Sequence, residues 1–234
     1  MPAFKRVLLK LSGEWFSGVN EKGFDKSTFE KVVETVKDTS ETQLAIVLGG
    51  GNIFRGKELN TLNIDQVSAD YIGMLSTIMN GIALSNFLQN QGCENSLFSS
   101  FAIGNFVNAY SAEEAKKSLN EGKTVLLVGG LGNPLFTTDS TASVRAVELN
   151  ADIMLKATNV DGVFSKDPKI NPSAKKYDAL SFDEAINKNL KVMDQTSLCF
   201  CRDSGLNVRV FDADKENALI SAIKGNEIGT LVHN

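Results

Sequence analysis

Short runs of apolar, mostly branched residues recur along this chain, and they constrain its fold more than any other feature. Near-continuous apolar runs of this length are typical of strands that are buried on both faces of a sheet. Segments with helical patterns lie between the runs, and strands that alternate with helices are typical of a mainly parallel sheet covered on both sides. The sequence therefore predicts an α/β fold. The six runs span 6–11, 43–48, 124–129, 151–158, 207–211 and 229–232.

Helix starts are marked by three Ser-x-x-Glu patterns, each of which fits a capping box. A long helical stretch is predicted within 65–90, with further helices over 139–149 and 216–224. The three patterns begin at Ser27, Ser111 and Ser181 and end at Glu30, Glu114 and Glu184.

The alternation of strands and helices is interrupted after the fourth apolar run. An Asp-Gly pair at 161–162 lies between the apolar residues of 160–166 and predicts a hairpin. Two X-Pro pairs within 165–177 predict an irregular loop. No flexible linker marks a domain boundary.

Composition and charge exclude several classes of protein. The chain has 234 residues, of which 42% are hydrophobic and 22% charged, as in soluble globular proteins. The net charge of −4 argues against a nucleic-acid partner, although a pocket can still be locally positive. The apolar run near the N-terminus is broken by Lys10, and no run approaches the roughly 20 residues of a membrane span. We predict a cytoplasmic protein without a signal peptide or a membrane partner.

The cysteines and the histidine narrow the chemistry further. Cys93, Cys199 and Cys201 are an odd and sparse set, which favours a reducing compartment. The only histidine, His233, is next to the C-terminus. A zinc site and a Ser-His or Cys-His nucleophile are therefore not predicted, and we assign no metal ligand to the chain.

Three of the predicted strands end in glycine-rich turns. They are KLSGE at 10–14, GGGNIFRG at 49–56 and GGLGNPLFTTDS at 129–140. In α/β sheets ligands bind beyond the carboxyl ends of the strands, and glycine lets backbone N–H groups approach an anion closely. Lys10 and Arg55 add positive charge to two of the turns. Three such turns together favour phosphate chemistry over simple tight turns.

Two familiar phosphate-binding motifs do not fit in detail. A Gly-Lys-Thr triplet at 122–124 resembles the end of a P-loop, but Lys117 stands where that motif needs its first glycine. The triplet also precedes a strand instead of following one. A Gly-x-Gly at 130–132 resembles the start of a dinucleotide fingerprint, but Leu135 stands where the third glycine belongs.

Several motifs together resemble the bacterial UMP kinases of the amino acid kinase superfamily. These are VLLKLSGE, GGGNIFRG, GNPLFTTDS, LKATNVDGVFSKDP and KVMD, and the resemblance extends from Lys5 to the strand at 229–232. It implies a three-layer αβα sandwich with a mainly parallel central sheet, in one domain over 1–234. Within that domain, an acceptor lobe over about 1–150 and an ATP lobe over 151–234 are expected.

The same resemblance implies an activity and partners. The family transfers the γ-phosphoryl group of ATP, with Mg²⁺, to UMP, and forms UDP for pyrimidine nucleotide synthesis. A homohexamer and inhibition by UTP are also expected. Some members are activated by GTP through basic and aromatic residues near 85–96. Here that segment has no Arg, Lys or His, and Ala112 stands where some members carry tryptophan, so this mode of activation is not predicted.

The resemblance also implies roles for individual residues. Lys10 and Arg55 would act in catalysis, and Asp194, in KVMD, would orient the catalytic lysine. Gly50 and Asp70 would contact UMP, and its base and sugar would be held by a loop within the third glycine-rich turn. That loop comprises Leu131, Gly132, Asn133, Pro134, Leu135, Phe136, Thr137 and Thr138. ATP would be bound by Lys10, Leu11, Ser12, Gly13, Gly51, Arg55, Thr158, Phe164 and Asp167.

These roles suit the chemistry. A phosphate monoester has a second pKa of about 6, so the acceptor is already ionised and no general base is needed. The difficulty is to bring two anions together, which cations, backbone N–H groups and Mg²⁺ can do. Lys156, at the end of its strand, is a second candidate cation.

Simpler readings remain open for several residues. Lys10 could be a solvated strand-end lysine, Asp194 the N-cap of a helix over 195–204, and Phe164 part of a hairpin core. Asp70 could be a solvated carboxylate, and Asp139 is interpreted as the cap of the next helix. For the whole protein, two alternatives remain: another amino acid kinase acting on carbamate or an acidic amino acid, or a non-catalytic relative that stores ATP and oxyanions.

Overall fold

A single nine-stranded sheet forms the centre of the part of the chain that the computed structural model describes, which is residues 2–20, 22–54, 62–168 and 170–234. Its order is β4-β3-β5-β2-β1-β6-β8-β9-β7, and all neighbours are parallel except β8 and β9. The strands are β1 Arg6–Leu11, β2 Gln43–Leu48, β3 Asn95–Ser99, β4 Asn108–Ala109, β5 Thr124–Val128, β6 Ile153–Thr158, β7 Ala179–Ser181, β8 Val208–Asp212 and β9 Thr230–His233.

The apolar runs correctly predicted six of these strands, to within two residues at each end. The sequence missed β3, β4 and β7. β4 and β7 have only two and three residues. β3 reads NSLFS and is only partly buried, so neither a long apolar run nor a clear alternation marks it. The missed strands β4 and β7 lie at the two edges of the sheet, where one side needs no strand partner.

Helices cover both faces of the sheet, so the predicted three-layer αβα architecture is confirmed. One apolar core holds Leu9 together with residues of α1, α2, α3 and α8. The other core holds Leu8 together with residues of α4, α5, α6 and α7. Consecutive residues of a strand point to opposite faces, which is why neighbouring leucines serve different cores. The helices are α1 Gly13–Phe16, α2 Lys26–Asp38, α3 Gln66–Asn90, α4 Ala112–Asn120, α5 Thr138–Glu148, α6 Phe182–Asn187, α7 Gln195–Asp203 and α8 Ala218–Ile223.

The helix caps agree with the sequence at two of the three predicted sites. Ser111 and Ser181 are N-caps whose side chains accept from the backbone N–H three residues later. Ser27 is not the cap of α2, which begins one residue earlier. Asp25 caps it instead and accepts from both the backbone N–H and the hydroxyl of Ser27. The Ser-x-x-Glu pattern was wrong here because an aspartate two residues upstream is an equally good cap.

Helix α3 has the length and apolar composition of a membrane span. It packs, however, as a core helix on β2, β3 and β5, and its residues Ile78, Leu84 and Leu88 are buried in the sheet core. Its N-cap is Asp65, at the start of the helical stretch predicted from the sequence.

The hairpin predicted at 160–166 does not form. Tyr177 N donates to Val163 O and Ser165 N donates to Lys175 O, so this segment pairs with the far end of the following loop. Gly162 has a φ of +128°, and a Cβ there would lie 2.4 Å from Thr230 Oγ1. The glycine is therefore needed for close packing against β9 and not for a two-residue turn.

Candidate functional site

The three glycine-rich turns meet at the carboxyl-terminal edge of the sheet, where the parallel strands end, as predicted. Strands β5, β2 and β1 are adjacent and parallel, so the turns that follow them emerge side by side at their carboxyl ends. Strand β6 lies next to β1 and contributes a fourth strand end to the same edge. In parallel α/β sheets, this edge is where ligands bind.

The glycines of the first two turns allow two backbones to pack directly on each other. A Cβ on Gly13 would lie 2.2 Å from Gly51 N, and one on Gly49 would lie 2.6 Å from Gly13 N. A Cβ on Gly50 would lie 2.8 Å from the Ser76 side chain of α3. The triplet is therefore required by packing between the two turns and α3, before any ligand is considered.

A buried carboxylate links two lysines at this edge. Lys10 and Lys156 are register partners on the neighbouring strands β1 and β6. Asp139, at the start of α5, lies between them, with Oδ1 3.1 Å from the Lys10 Nζ and Oδ2 2.5 Å from the Lys156 Nζ. The Lys156 Nζ also donates to Val192 O at 2.6 Å. All three ionisable side chains are less than 15% exposed.

The charges of this group shift the pKa values of Asp139 and Lys156. Burial alone would raise the pKa of Asp139, but the charges of Lys10 and Lys156 outweigh it, and the pKa is lowered overall. Burial lowers the pKa of Lys156, the Lys10 charge lowers it further, and Asp139 offsets only part of this. With both ammonium groups protonated, the three residues carry a net charge of +1, which suits an anionic ligand.

Asp139 was interpreted from the sequence as a helix cap, and that was wrong. The N-cap of α5 is Thr137, whose Oγ1 accepts from Ser140 N at 3.1 Å. Asp139 is thus free to turn towards the lysines. The only sequence signal was its place within the third glycine-rich turn, and interpreting that signal required knowledge of which strands are neighbours.

The contacts of Asp194 differ from its predicted role on the catalytic lysine. Asp194 caps α7 and accepts from Ser197 N at 2.9 Å, as the simpler reading held. Its Oδ2 also accepts from the Thr137 hydroxyl at 2.6 Å. Burial would raise the pKa of Asp194, but the Ser197 and Thr137 hydrogen bonds lower it overall. The carboxylate bonded to the lysines is Asp139, and Asp194 adds only its nearby negative charge, which raises the pKa of Lys156.

A cavity of about 540 Å³ opens beside the lysines, on the face of the sheet covered by α1 and α2. Lys10, Ser12 and Thr158 line it, as does Lys156, so four strand-end residues singled out from the sequence share one space. Trp15, the only tryptophan of the chain, is part of the same wall.

The remaining residues predicted for the donor side are more dispersed. Leu11 is a fully buried residue at the end of β1, and Gly51 packs against Glu14. Phe164 pairs with Lys176 across the loop after β6, and neither it nor Asp167 lines the cavity. Their predicted contact with adenosine is therefore not supported by a shared space.

Asp70 and the loop after β5, which the resemblance assigns to the same nucleotide, are in contact. Asp70 Oδ2 accepts from Leu135 N at 2.7 Å, and Oδ1 accepts from the Gln66 side chain at 2.8 Å. Leu135 has a φ of +71°, so this hydrogen bond holds a loop residue in the left-handed region. Gly50 is close to the same helix through Gly73 O and Ser76.

Arg55 lies outside the described residues, so its predicted role in charge neutralisation stays a prediction. It is part of the GGGNIFRG sequence of the second turn and falls within residues 55–61.

Comparison with known proteins agrees with this geometry. A model of the amino acid kinase family matches residues 5–212. The crystal structure of UMP kinase from Bacillus anthracis is 36% identical, with 100% of this chain and 97% of that chain covered and a TM-score of 0.95. UMP kinase from Ureaplasma parvum is 37% identical, with coverages of 98% and 99% and a TM-score of 0.93. Uridylate kinase from Archaeoglobus fulgidus is 26% identical, with coverages of 99% and 100% and a TM-score of 0.74.

The packing of the glycine turns predicts a large effect from one methyl group. Gly13→Ala should destabilise the protein by about 2 kcal/mol or more, because the new Cβ meets backbone that cannot move away. Urea unfolding measures this. Gly73→Ala is the matched control: nothing lies within 4 Å of a Cβ there, and α3 should gain up to about 1 kcal/mol from the better helix former. Equal effects of the two variants would contradict the packing argument.

The lysine–carboxylate group predicts a specific dependence of stability on pH. Asp139→Asn leaves two ammonium groups facing each other and should cost about 3 kcal/mol at pH 7. The folded pKa of Asp139 is lowered, so its stabilisation is complete above the unfolded pKa of about 4 and is lost as pH falls through the folded value. Urea unfolding at several pH values should show the variant approaching the wild type below about pH 4.

Asp152→Asn provides the control for this measurement, because it removes a carboxylate that does not separate two lysines and should not reproduce the pH dependence of Asp139→Asn. Asp152 accepts from Lys5 N and Arg6 N at the opposite edge of the sheet, away from the paired lysines. A constant difference between Asp139→Asn and the wild type from pH 7 to pH 2 would refute the assignment.

Proposed function

The chain belongs to the amino acid kinase family, and from that premise we propose that it is a UMP kinase, which transfers the γ-phosphoryl group of ATP to UMP. The full-length similarity to two UMP kinases at 36% and 37% identity supports this choice within the family. The observation that carries it is the Lys10–Asp139–Lys156 group at the edge where the three glycine turns meet.

Phosphoryl transfer between two nucleotides demands positioning and charge neutralisation above all. Lys10 and Lys156 offer two ammonium groups whose positions are fixed by one carboxylate, so little reorganisation is needed when the phosphates approach. A UMP phosphate is ionised at neutral pH, so no side chain has to remove a proton. This explains how a chain whose only histidine is His233 could carry out the reaction.

For the donor, we place the ATP phosphates against Lys10, Ser12 and Gly13 and the rest of ATP in the cavity that reaches Thr158. Leu11 and Gly51 would take part through their backbone, and Arg55 through its charge. Phe164 and Asp167 stay predictions drawn from the resemblance alone.

Mg²⁺ is compatible with this arrangement. The described residues contain no cluster of three or more His, Cys, Asp or Glu side chains. Mg²⁺ commonly keeps several waters and binds through substrate phosphates with few carboxylates, so a cage of protein ligands is not required. When bound together with ATP, the ion would supply positive charge that offsets the negative charge of the phosphates.

For the acceptor, we place UMP between Asp70, Gly50 and the loop from Leu131 to Thr138. The Asp70–Leu135 hydrogen bond supports this, because it joins two parts of the predicted site that are 65 residues apart. Asp194 would contribute by holding Thr137, the last residue before α5.

The function is tested by a coupled assay with ATP and four acceptors: UMP, CMP, carbamate and acetylglutamate. UMP should be preferred by at least tenfold in kcat/KM, and Lys10→Met should abolish UDP formation while the protein stays folded. Preference for another acceptor would favour a different amino acid kinase. No turnover with any acceptor, together with tight ATP binding, would favour the storage relative. UTP should compete with UMP in the same assay because it carries the same base and sugar.

Self-association is supported by an apolar stripe on the outer face of α3. Val67, Tyr71, Leu75, Met79 and Ile82 recur at intervals of three or four residues and are 39–52% exposed. Helical residues at this spacing form one stripe. Asp70 is the only charged residue in the 25 residues of the helix, so a second copy meets almost no like charge. Contiguous exposed apolar surface of this kind marks an interface, and we propose that it is used between copies in a homohexamer.

Light scattering tests this interface. The double substitution Leu75→Glu and Met79→Glu should lower the mass in solution, because it places like charges on both copies. Val19→Glu is the control, since Val19 is 96% exposed and lies outside α3. A double variant with the same mass as the wild type would exclude α3 from the assembly.

A further inference from the structure

We infer that Arg145 is a positioning residue for the acceptor loop and acts on it through Ser100 and the carbonyl group of Gly130. The inference rests on the proposed function, because it assigns the residue to the binding of UMP. Arg145 contacts neither the paired lysines nor the cavity beside them. The sequence analysis assigns it no role.

The connection is a chain of two hydrogen bonds. Arg145 lies on α5, two turns after the loop ends, and its Nη2 donates to the Ser100 Oγ at 3.0 Å. The Ser100 hydroxyl in turn donates to Gly130 O in a short hydrogen bond. Ser100 follows β3, which is the neighbour of β5 in the sheet. The guanidinium therefore fixes the direction in which the hydroxyl, and so the loop carbonyl, points.

The guanidinium itself is held on its other sides. Arg145 Nη1 lies 2.7 Å from Glu148 Oε2, and the Tyr110 hydroxyl donates to the same oxygen at 2.9 Å. The Arg145 Cζ lies 3.8 Å from the centre of the Tyr110 ring, within the range of a cation–π contact. Only 8% of Arg145 is exposed. A buried, paired and stacked guanidinium has one geometry, which an ammonium group cannot reproduce.

The loop needs such fixing because its start is rich in glycine. Gly129, Gly130 and Gly132 all have positive φ, at +75°, +56° and +82°. Glycine loses more conformational entropy on ordering than any other residue, so these positions are held only by specific contacts. A Cβ on Gly132 would lie 3.1 Å from the Ser100 side chain, so Ser100 also supports the turn by contact.

Three side chains hold the first part of the loop, from Gly129 to Leu135, at three points. Thr77 Oγ1 accepts from Gly129 N at 2.7 Å, and Asp70 accepts from Leu135 N. Both of these belong to α3. Ser100, which accepts from Arg145, is the third anchor. It binds Gly130, which lies between Gly129 and Leu135 in the chain, and it comes from the end of β3 and not from α3. Without it the segment from Gly130 onward could rotate about its glycines, and the acceptor surface would be lost while the lysines stayed in place.

Steady-state kinetics separate this role from a general loss of structure. Ser100→Ala and Arg145→Lys should each raise the KM for UMP by at least fivefold. Their KM for ATP should stay within twofold of the wild type, because neither Ser100 nor Arg145 lines the cavity beside Lys10. Arg6→Lys is the control: Arg6 is also partly buried and bonds Gln43 and Leu149 O, but it lies at the opposite edge of the sheet. It should change neither KM.

Amide hydrogen exchange gives a readout that does not depend on activity. In Ser100→Ala and Arg145→Lys, the amides of Gly132 and Leu135 should exchange at least tenfold faster than in the wild type, while those of β1 should not change. Equal increases in both KM values, or unchanged exchange in the loop, would overturn the inference. If the wild type failed to phosphorylate UMP, the proposed function would fail, and the exchange rates would still decide whether Arg145 holds the loop.

Discussion

Two ammonium groups on adjacent buried strands impose the constraint on which the site depends. Lys10 and Lys156 are register partners on adjacent strands, and two like charges this close repel each other strongly where little water can screen them. Asp139 removes this repulsion by bonding both. Because Asp139 is the second residue of α5, its two contacts fix the start of that helix relative to β1 and β6.

The glycines of the first two turns complete that arrangement. Lys10 can stand at the inner edge of the site only if the turn after β1 folds back against the turn after β2, and Gly13 and Gly49–Gly51 permit that approach. The expectation that these glycines exist to admit phosphates was thus incomplete. They are first needed so that the backbones pack, and the resulting surface of N–H groups is then available to an anion.

The loop after β5, where we propose that the acceptor binds, is built differently, by side chains that restrain a glycine-rich backbone. Asp70, Thr77 and Ser100 hold the loop after β5, and the loop ends at Thr137, which Asp194 holds in turn. The site thus combines the fixed Lys10–Asp139–Lys156 group with a loop that is held by several side chains. This combination suits a reaction in which the phosphates must meet precisely positioned cations while the acceptor enters and leaves.

The sequence by itself determined the α/β class, six of the nine described strands, the caps at Ser111 and Ser181, and the three glycine turns, because periodicity and capping depend on neighbours in the chain. The two short edge strands, β4 and β7, and the partly polar strand β3 carried no such signal. The tertiary structure alone decided that Asp139, and not Asp194, bonds the lysines. Both aspartates precede or open a helix, so local chemistry cannot tell them apart. Only the order of strands, which places β1 beside β6 and α5 above them, brings one carboxylate within reach of two ammonium groups.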